Sequence, residues 1–124
     1  MILIIDDSDI AREAMRRPLE AAGLEVYDLP SPIGATRLIL RKGIRVVIID
    51  INMPTMRGDR LAALFRENPR FDDLRVILVS GEDQDLLQQL ASQVGADAVV
   101  PKSANYADLV ETVVRLLPQE TEEA

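Results

Sequence analysis

Short runs of β-branched and aliphatic residues alternate along the chain with longer stretches whose apolar positions recur every three or four residues. Residues 2–5 (ILII), 46–49 (VVII), 76–79 (VILV) and 98–100 (AVV) carry no polar face, the pattern of strands covered on both sides. Residues 24–29 (LEVYDL) are more mixed, as an edge strand would be. A first helix is predicted from a cap at Ser8 or Asp9 to about residue 22, stopped by Gly23. It contains Pro18, which removes a backbone hydrogen bond and predicts a kink or a local break. Ser31 followed by Pro32 predicts an N-cap with proline at the first helical position, and that helix should end near residues 42–43. Further helices are predicted over 59–68 and 84–94, and from a cap at Asn105, with Asp108 at the third position, to residue 117. Residues 69–74 are expected to form a polar loop.

The sum is a strand–helix unit repeated five times. Crossovers of this length give a parallel sheet with right-handed connections and helices on both faces: a single α/β domain, doubly wound. The domain is predicted to span residues 1–117. Residues 118–124 (PQETEEA) lack apolar periodicity and read as an acidic tail or the start of a linker.

Composition narrows the picture. The chain has 124 residues, 48% of them hydrophobic, enough to bury a core without disulfides or metal staples. There are no cysteines, which fits a reducing, cytoplasmic setting. No basic leader precedes the first apolar run, and no run approaches a membrane span, so no membrane attachment is expected. A net charge of −7 opposes contact with a polyphosphate backbone, so direct nucleic-acid binding is not expected.

In an open α/β sheet, ligands bind beyond the carboxyl ends of the strands. Those ends collect polar residues here: Asp6 and Asp7 after the first strand, Asp50 after the third, Ser80 and Gly81 after the fourth, Pro101 and Lys102 after the fifth. Singly, each has a plain structural use, as a helix-starting acid, a loop cap, a turn residue or a solvated charge. Together, carboxylates from adjacent strands would repel unless a cation sat among them. Oxygen ligands without His or Cys suit a hard cation, Mg²⁺. A metal-bound carboxylate beside a lysine and a hydroxyl suits phosphoryl transfer, with the carboxylate as nucleophile.

The segments IIDDS (4–8), DINMP (50–54) followed by Gly58, ILVSG (77–81) and GADAVVPK (95–102) resemble the receiver domain of two-component response regulators, over about residues 1–117 and in family order. The resemblance implies a flavodoxin-like sheet in the order 2-1-3-4-5. It implies that Asp50 accepts a phosphoryl group from a histidine kinase or phosphotransfer protein. Asp7 would hold Mg²⁺ directly and Asp6 through water, with Asp50 and the backbone carbonyl of Asn52 completing the protein's ligands. Ser80 would be the switch hydroxyl and Lys102 the phosphoryl-pairing lysine. A downstream protein or fused effector domain would read the face built from the fourth helix, fifth strand and fifth helix. No catalysis is implied beyond the domain's own phosphorylation and dephosphorylation.

The sequence departs from the family pattern in three places. Proline usually follows the lysine, often in a cis peptide, whereas here the order is Pro101-Lys102-Ser103; a cis Lys102–Ser103 bond would cost about 3 kcal/mol. Val99 stands where a Tyr or Phe usually couples to the switch hydroxyl, and Tyr106 does not match that position by spacing. Gly81 follows Ser80 where alanine is common. Asn52 and Glu82, two past the acceptor and two past the hydroxyl, resemble the pair in chemotaxis-type receivers and imply a short-lived phosphorylated state. Two other functions fit parts of the pattern. One is a receiver-like binding module that signals without phosphorylation. The other is a haloacid-dehalogenase-type phosphatase, whose Asp-x-Asp-x-Thr/Val motif is only half met by Asp7-Ser8-Asp9-Ile10-Ala11.

Overall fold

A computed structural model describes residues 1–81, 83–102 and 106–118. The elements in chain order are β1 (Ile2–Ile5), α1 (Asp9–Ala21), β2 (Val26–Leu29), α2 (Ala35–Lys42), β3 (Val46–Asp50), α3 (Gly58–Glu67), a 3₁₀ turn (Pro69–Phe71), β4 (Arg75–Ser80), α4 (Gln84–Val94), β5 (Ala98–Pro101) and α5 (Ala107–Leu116). All strands pair in parallel, in the order β2-β1-β3-β4-β5. The doubly wound α/β fold expected from the pattern, and the strand order implied by the resemblance, are both present.

The apolar runs form strands because each is covered twice. Ile2–Ile5 and Val46–Asp50 are buried at every position. Successive side chains point to opposite faces. Leu3, Ile5, Val47 and Ile49 pack on the side of α2, α3 and α4; Ile2, Ile4, Val46 and Ile48 pack on the side of α1 and α5. The register pairs Ile5 with Ile49, so Asp6 and Asp50 emerge side by side and continue the row that faces α1 and α5.

Several boundaries differ from the sequence reading. β2 starts at Val26, two residues later than expected. α1 runs unbroken through Pro18, whose carbonyl accepts from the amide of Ala22 at 3.1 Å, so no local break occurs. α2 begins at Ala35 rather than Pro32: Gly34 adopts φ 85, outside the helical region, and residues 31–34 form a turn in which the Ser31 hydroxyl accepts from the Ile33 amide. The loop expected to be polar contains the 3₁₀ turn and buries Phe71 and Leu74 against Phe65 and its neighbours, with the Phe65 and Phe71 rings edge to face at 5.4 Å. The residue capping α5 is Tyr106, at φ 52. The expected Asn105 cap, the Lys102–Ser103 peptide and residues 119–124 lie outside the described residues.

Candidate functional site

The acid cluster is set by the sheet register. Asp6 follows the fully buried β1 and is itself fully buried, while Asp50 ends β3 almost as deeply. Asp7, one residue on, faces solvent. One carboxylate oxygen from each of Asp6, Asp7 and Asp50 lies within 4.8 Å of the others. Lys102 extends from the end of β5, where its amide donates to the Ser80 carbonyl at 3.0 Å. Its Nζ stands 3.2 Å from Asp6 Oδ2 and 3.3 Å from Asp50 Oδ1. Both of those oxygens are buried, and the Lys102 ammonium is the cation paired with them.

This environment shifts the charges in opposed ways. Burial raises the Asp50 pKa, the Asp6 carboxylate raises it further, and Lys102 together with a backbone hydrogen bond from Asn52 offsets only part of the rise. Burial alone would lower the Lys102 pKa, but the Asp6 and Asp50 carboxylates outweigh it and leave the ammonium more firmly protonated than usual. The cluster therefore has more buried negative charge than one lysine compensates. A cradle of three carboxylates beside a single ammonium, with no nitrogen or sulfur donor, fits Mg²⁺.

Of the remaining sequence-predicted residues, Asn52 and Ser80 are joined to each other. The Asn52 side-chain amide donates to Ser80 Oγ at 3.3 Å, and Ser80 is fully buried. Glu82 lies outside the described residues. Val99 is partly buried on the α2–α4 side of the sheet, whereas Tyr106 is buried on the α1–α5 side. Asp9, the second acid of the phosphatase-like segment, stands apart from the carboxylate cluster and pairs with Arg12.

Three residues act in ways that the sequence reading did not assign. Arg12 Nη1 donates to the Asp6 backbone carbonyl at 2.7 Å, tying α1 to the rim. Gly58 opens α3 against β3: a Cβ there would stand 2.2 Å from the Asp50 carbonyl oxygen. A glycine inside a helix's first turn is a poor helix former, and that oddity was the available signal. Tyr106 is the third; burial raises its pKa, Lys102 opposes and Asp6 and Asp50 reinforce the rise, which places the phenol within the site's field.

Comparison with known proteins decides the family. The model of the response regulator receiver domain matches residues 2–114. The chain belongs to the response regulator receiver domain family. Among curated relatives, the aerobic respiration control protein ArcA of Escherichia coli is 28% identical over 108 residues, 87% of this chain but 44% of that protein. The response regulator MprA of a Mycobacterium species is 28% identical over 94% of this chain and 50% of its own length. This receiver thus spans about half the length of the curated relatives it matches. Among solved structures, the chemotaxis protein CheY4 of Vibrio cholerae superposes with a TM-score of 0.84 at 27% identity, covering 94% of this chain and 97% of that one. The response regulator TrrA of Thermotoga maritima, solved in complex with Mg²⁺ and BeF, gives 0.80 at 28% identity, over 94% and 97%. Among the described residues of this receiver, no helix is long and apolar enough to cross a membrane.

Proposed function

We propose that this receiver is a phosphorylation switch in which Asp50 accepts a phosphoryl group from the phosphohistidine of a histidine kinase or phosphotransfer protein, and that residues 1–117 form the functional unit. The observation that carries the reading is the convergence of Asp6, Asp7 and Asp50 around one point with Lys102 bridging the two buried carboxylates. A carboxylate oxygen of Asp50 attacks phosphorus; the new P–O bond forms as the P–N bond to imidazole breaks, and the bonding pair leaves with the histidine nitrogen. Lys102 exchanges its contact with Asp50 Oδ1 for one with a phosphoryl oxygen. Ser80 offers its hydroxyl to a second oxygen. Asp6, Asp7, Asp50 and the backbone carbonyl of Asn52 would hold Mg²⁺, which supplies positive charge to the remaining phosphoryl oxygens when bound. Hydrolysis of the acyl phosphate by water restores the carboxylate, and the exposed Asn52 leaves that water a path, in keeping with a short-lived phosphorylated state.

The output follows from a shift between two conformations, read by a protein partner or a fused effector at the face of α4, β5 and α5. Beyond its own phosphorylation and dephosphorylation the domain is not an enzyme in this account. The test is amide NMR with Mg²⁺ and beryllofluoride. Saturable shifts at Asp7, Asp50, Asn52, Ser80 and Lys102, absent in Asp50→Asn, are expected. The absence of such shifts in the native chain would sink the proposal and leave a binding module that works without phosphorylation.

A further inference from the structure

The segment 29–49 contains Arg37, Arg41, Lys42 and Arg45 and no acid, in a chain whose net charge is −7. Arg37 and Arg41 stand one turn apart on the outer face of α2, whose inner face packs through Ala35 and Ile39. Arg70, on the 3₁₀ turn, lines the same groove as Arg37 and Arg41, together with Pro32, Thr36 and Leu40. None of Arg37, Arg41 and Arg70 forms an ion pair among the described residues, whereas the guanidiniums of Arg12, Arg16, Arg17, Arg57 and Arg66 all do. The nearest acid associated with this region, Asp73, lines the adjoining hollow with Arg45 and Arg70.

The apolar element is equally unusual. Ile33 is 82% exposed and Leu40 43% exposed. A lone exposed aliphatic residue means little. Ile33, however, is held out by an ordered turn, with its amide bonded to the Ser31 hydroxyl and Gly34 in the left-handed region behind it. Its side chain adds little to the stability of the fold, and its chain neighbours Pro32 and Gly34 line the groove that holds the three arginines.

We propose that the groove between α2 and the 3₁₀ turn is a docking site for an acidic segment of a partner protein, whose carboxylates pair with Arg37, Arg41 and Arg70 and whose apolar side chain packs on Ile33 and Leu40. Arginine forks match carboxylates, and arginine with an aliphatic anchor is a composition that carries binding energy. A nucleic acid would use the arginines but leave Ile33 and Leu40 wet, and the net charge would oppose it. An anionic lipid surface would meet a concave groove and a net negative protein. The site lies on the opposite side of the sheet from α1 and α5 and does not involve the carboxylate rim, so docking operates without phosphorylation of Asp50.

The test is a fluorescence anisotropy titration with a labelled peptide of repeated Glu-Leu-Asp units, beside a peptide with lysine replacing every acid, a labelled oligonucleotide, and phosphatidylserine vesicles. Saturable binding of the acidic peptide alone is expected, with amide shifts in NMR spectra confined to residues 33–41 and 70. Arg37→Glu combined with Arg41→Glu should weaken it tenfold or more, about 1.4 kcal/mol; Ile33→Ser should weaken it severalfold, and Arg115→Glu on α5 should leave it unchanged. Should the double reversal fail to fold, Arg37→Gln with Arg41→Gln carries the same expectation. Binding that is unaffected by these changes, no saturable binding, or tighter binding of the oligonucleotide or vesicles would each overturn the proposal.

Discussion

Asp50 stands where its charged form is disfavoured. Its pKa is raised by burial first and by Asp6 second, so ionising this carboxyl works against the folded state. Because the folded value lies above the unfolded one, stability falls as pH rises from the ordinary carboxylate range through the raised value, and stays lower above it. Asp50→Asn should therefore raise Tm in the absence of metal at pH 7, and the difference from the native chain should shrink as pH falls through that window. Thermal melts of both proteins across pH 3–8 check this; an equal or lower Tm for the variant at pH 7 would contradict it. Lys102 has linkage of the same sign in an alkaline window: its raised value means that its contribution is complete at neutral pH and is lost only as pH climbs through the folded value. At Gly58 the constraint is steric. A methyl 2.2 Å from the Asp50 carbonyl forces α3 off β3, so Gly58→Ala should destabilise by about 1–3 kcal/mol in urea unfolding, by the usual cost of overpacking. It should also slow phosphorylation of Asp50, because the displaced backbone is that of the proposed acceptor.

At the scale of elements, legibility follows how strongly local sequence alone constrains the backbone. β1, β3 and β4 were readable because burial on both faces leaves no polar position to confuse the pattern. The Asp6–Asp50–Lys102 site was readable through strand ends, since a parallel sheet brings those ends to one rim. The start of α2 was not: Ser31-Pro32 has good capping chemistry, but the turn that presents Ile33 overrides it. The packing role of Gly58 was not, because closeness between α3 and β3 is a tertiary fact, of which a poor helix former at the start of α3 is only an indirect trace. Pro18 was overweighted; α1 tolerates the missing hydrogen bond in its last turns, where packing through Met15 and Leu19 holds it. Pro18→Ala should then stabilise the protein by about 1 kcal/mol or more, by restoring a donor and helix propensity. On α4 the Asp83 carboxylate accepts from the amides of Asp85 and Leu86. Asp83→Ala should cost about 1 kcal/mol in urea unfolding, and faster amide exchange in the first turn of α4 would locate the loss.

For the whole molecule, the rim concentrates charge at the end of a rigid sheet. The rest of the fold serves to hold Asp6 and Asp50 side by side against their repulsion. A bound cation relieves that repulsion, so Tm should rise with Mg²⁺ concentration as expected for a ligand that binds only the folded state. The rise should be lost on chelation and diminished in Asp7→Asn. If this rim directs a phosphoryl group onto Asp50, intact mass spectrometry will register it. The protein is incubated with Mg²⁺ and a small acyl-phosphate donor, beside Asp50→Asn and a metal-free control, and quenched rapidly. One added phosphoryl group is expected in the native chain and in neither control. An unmodified mass at the earliest quench, or an adduct that persists in Asp50→Asn, would contradict it.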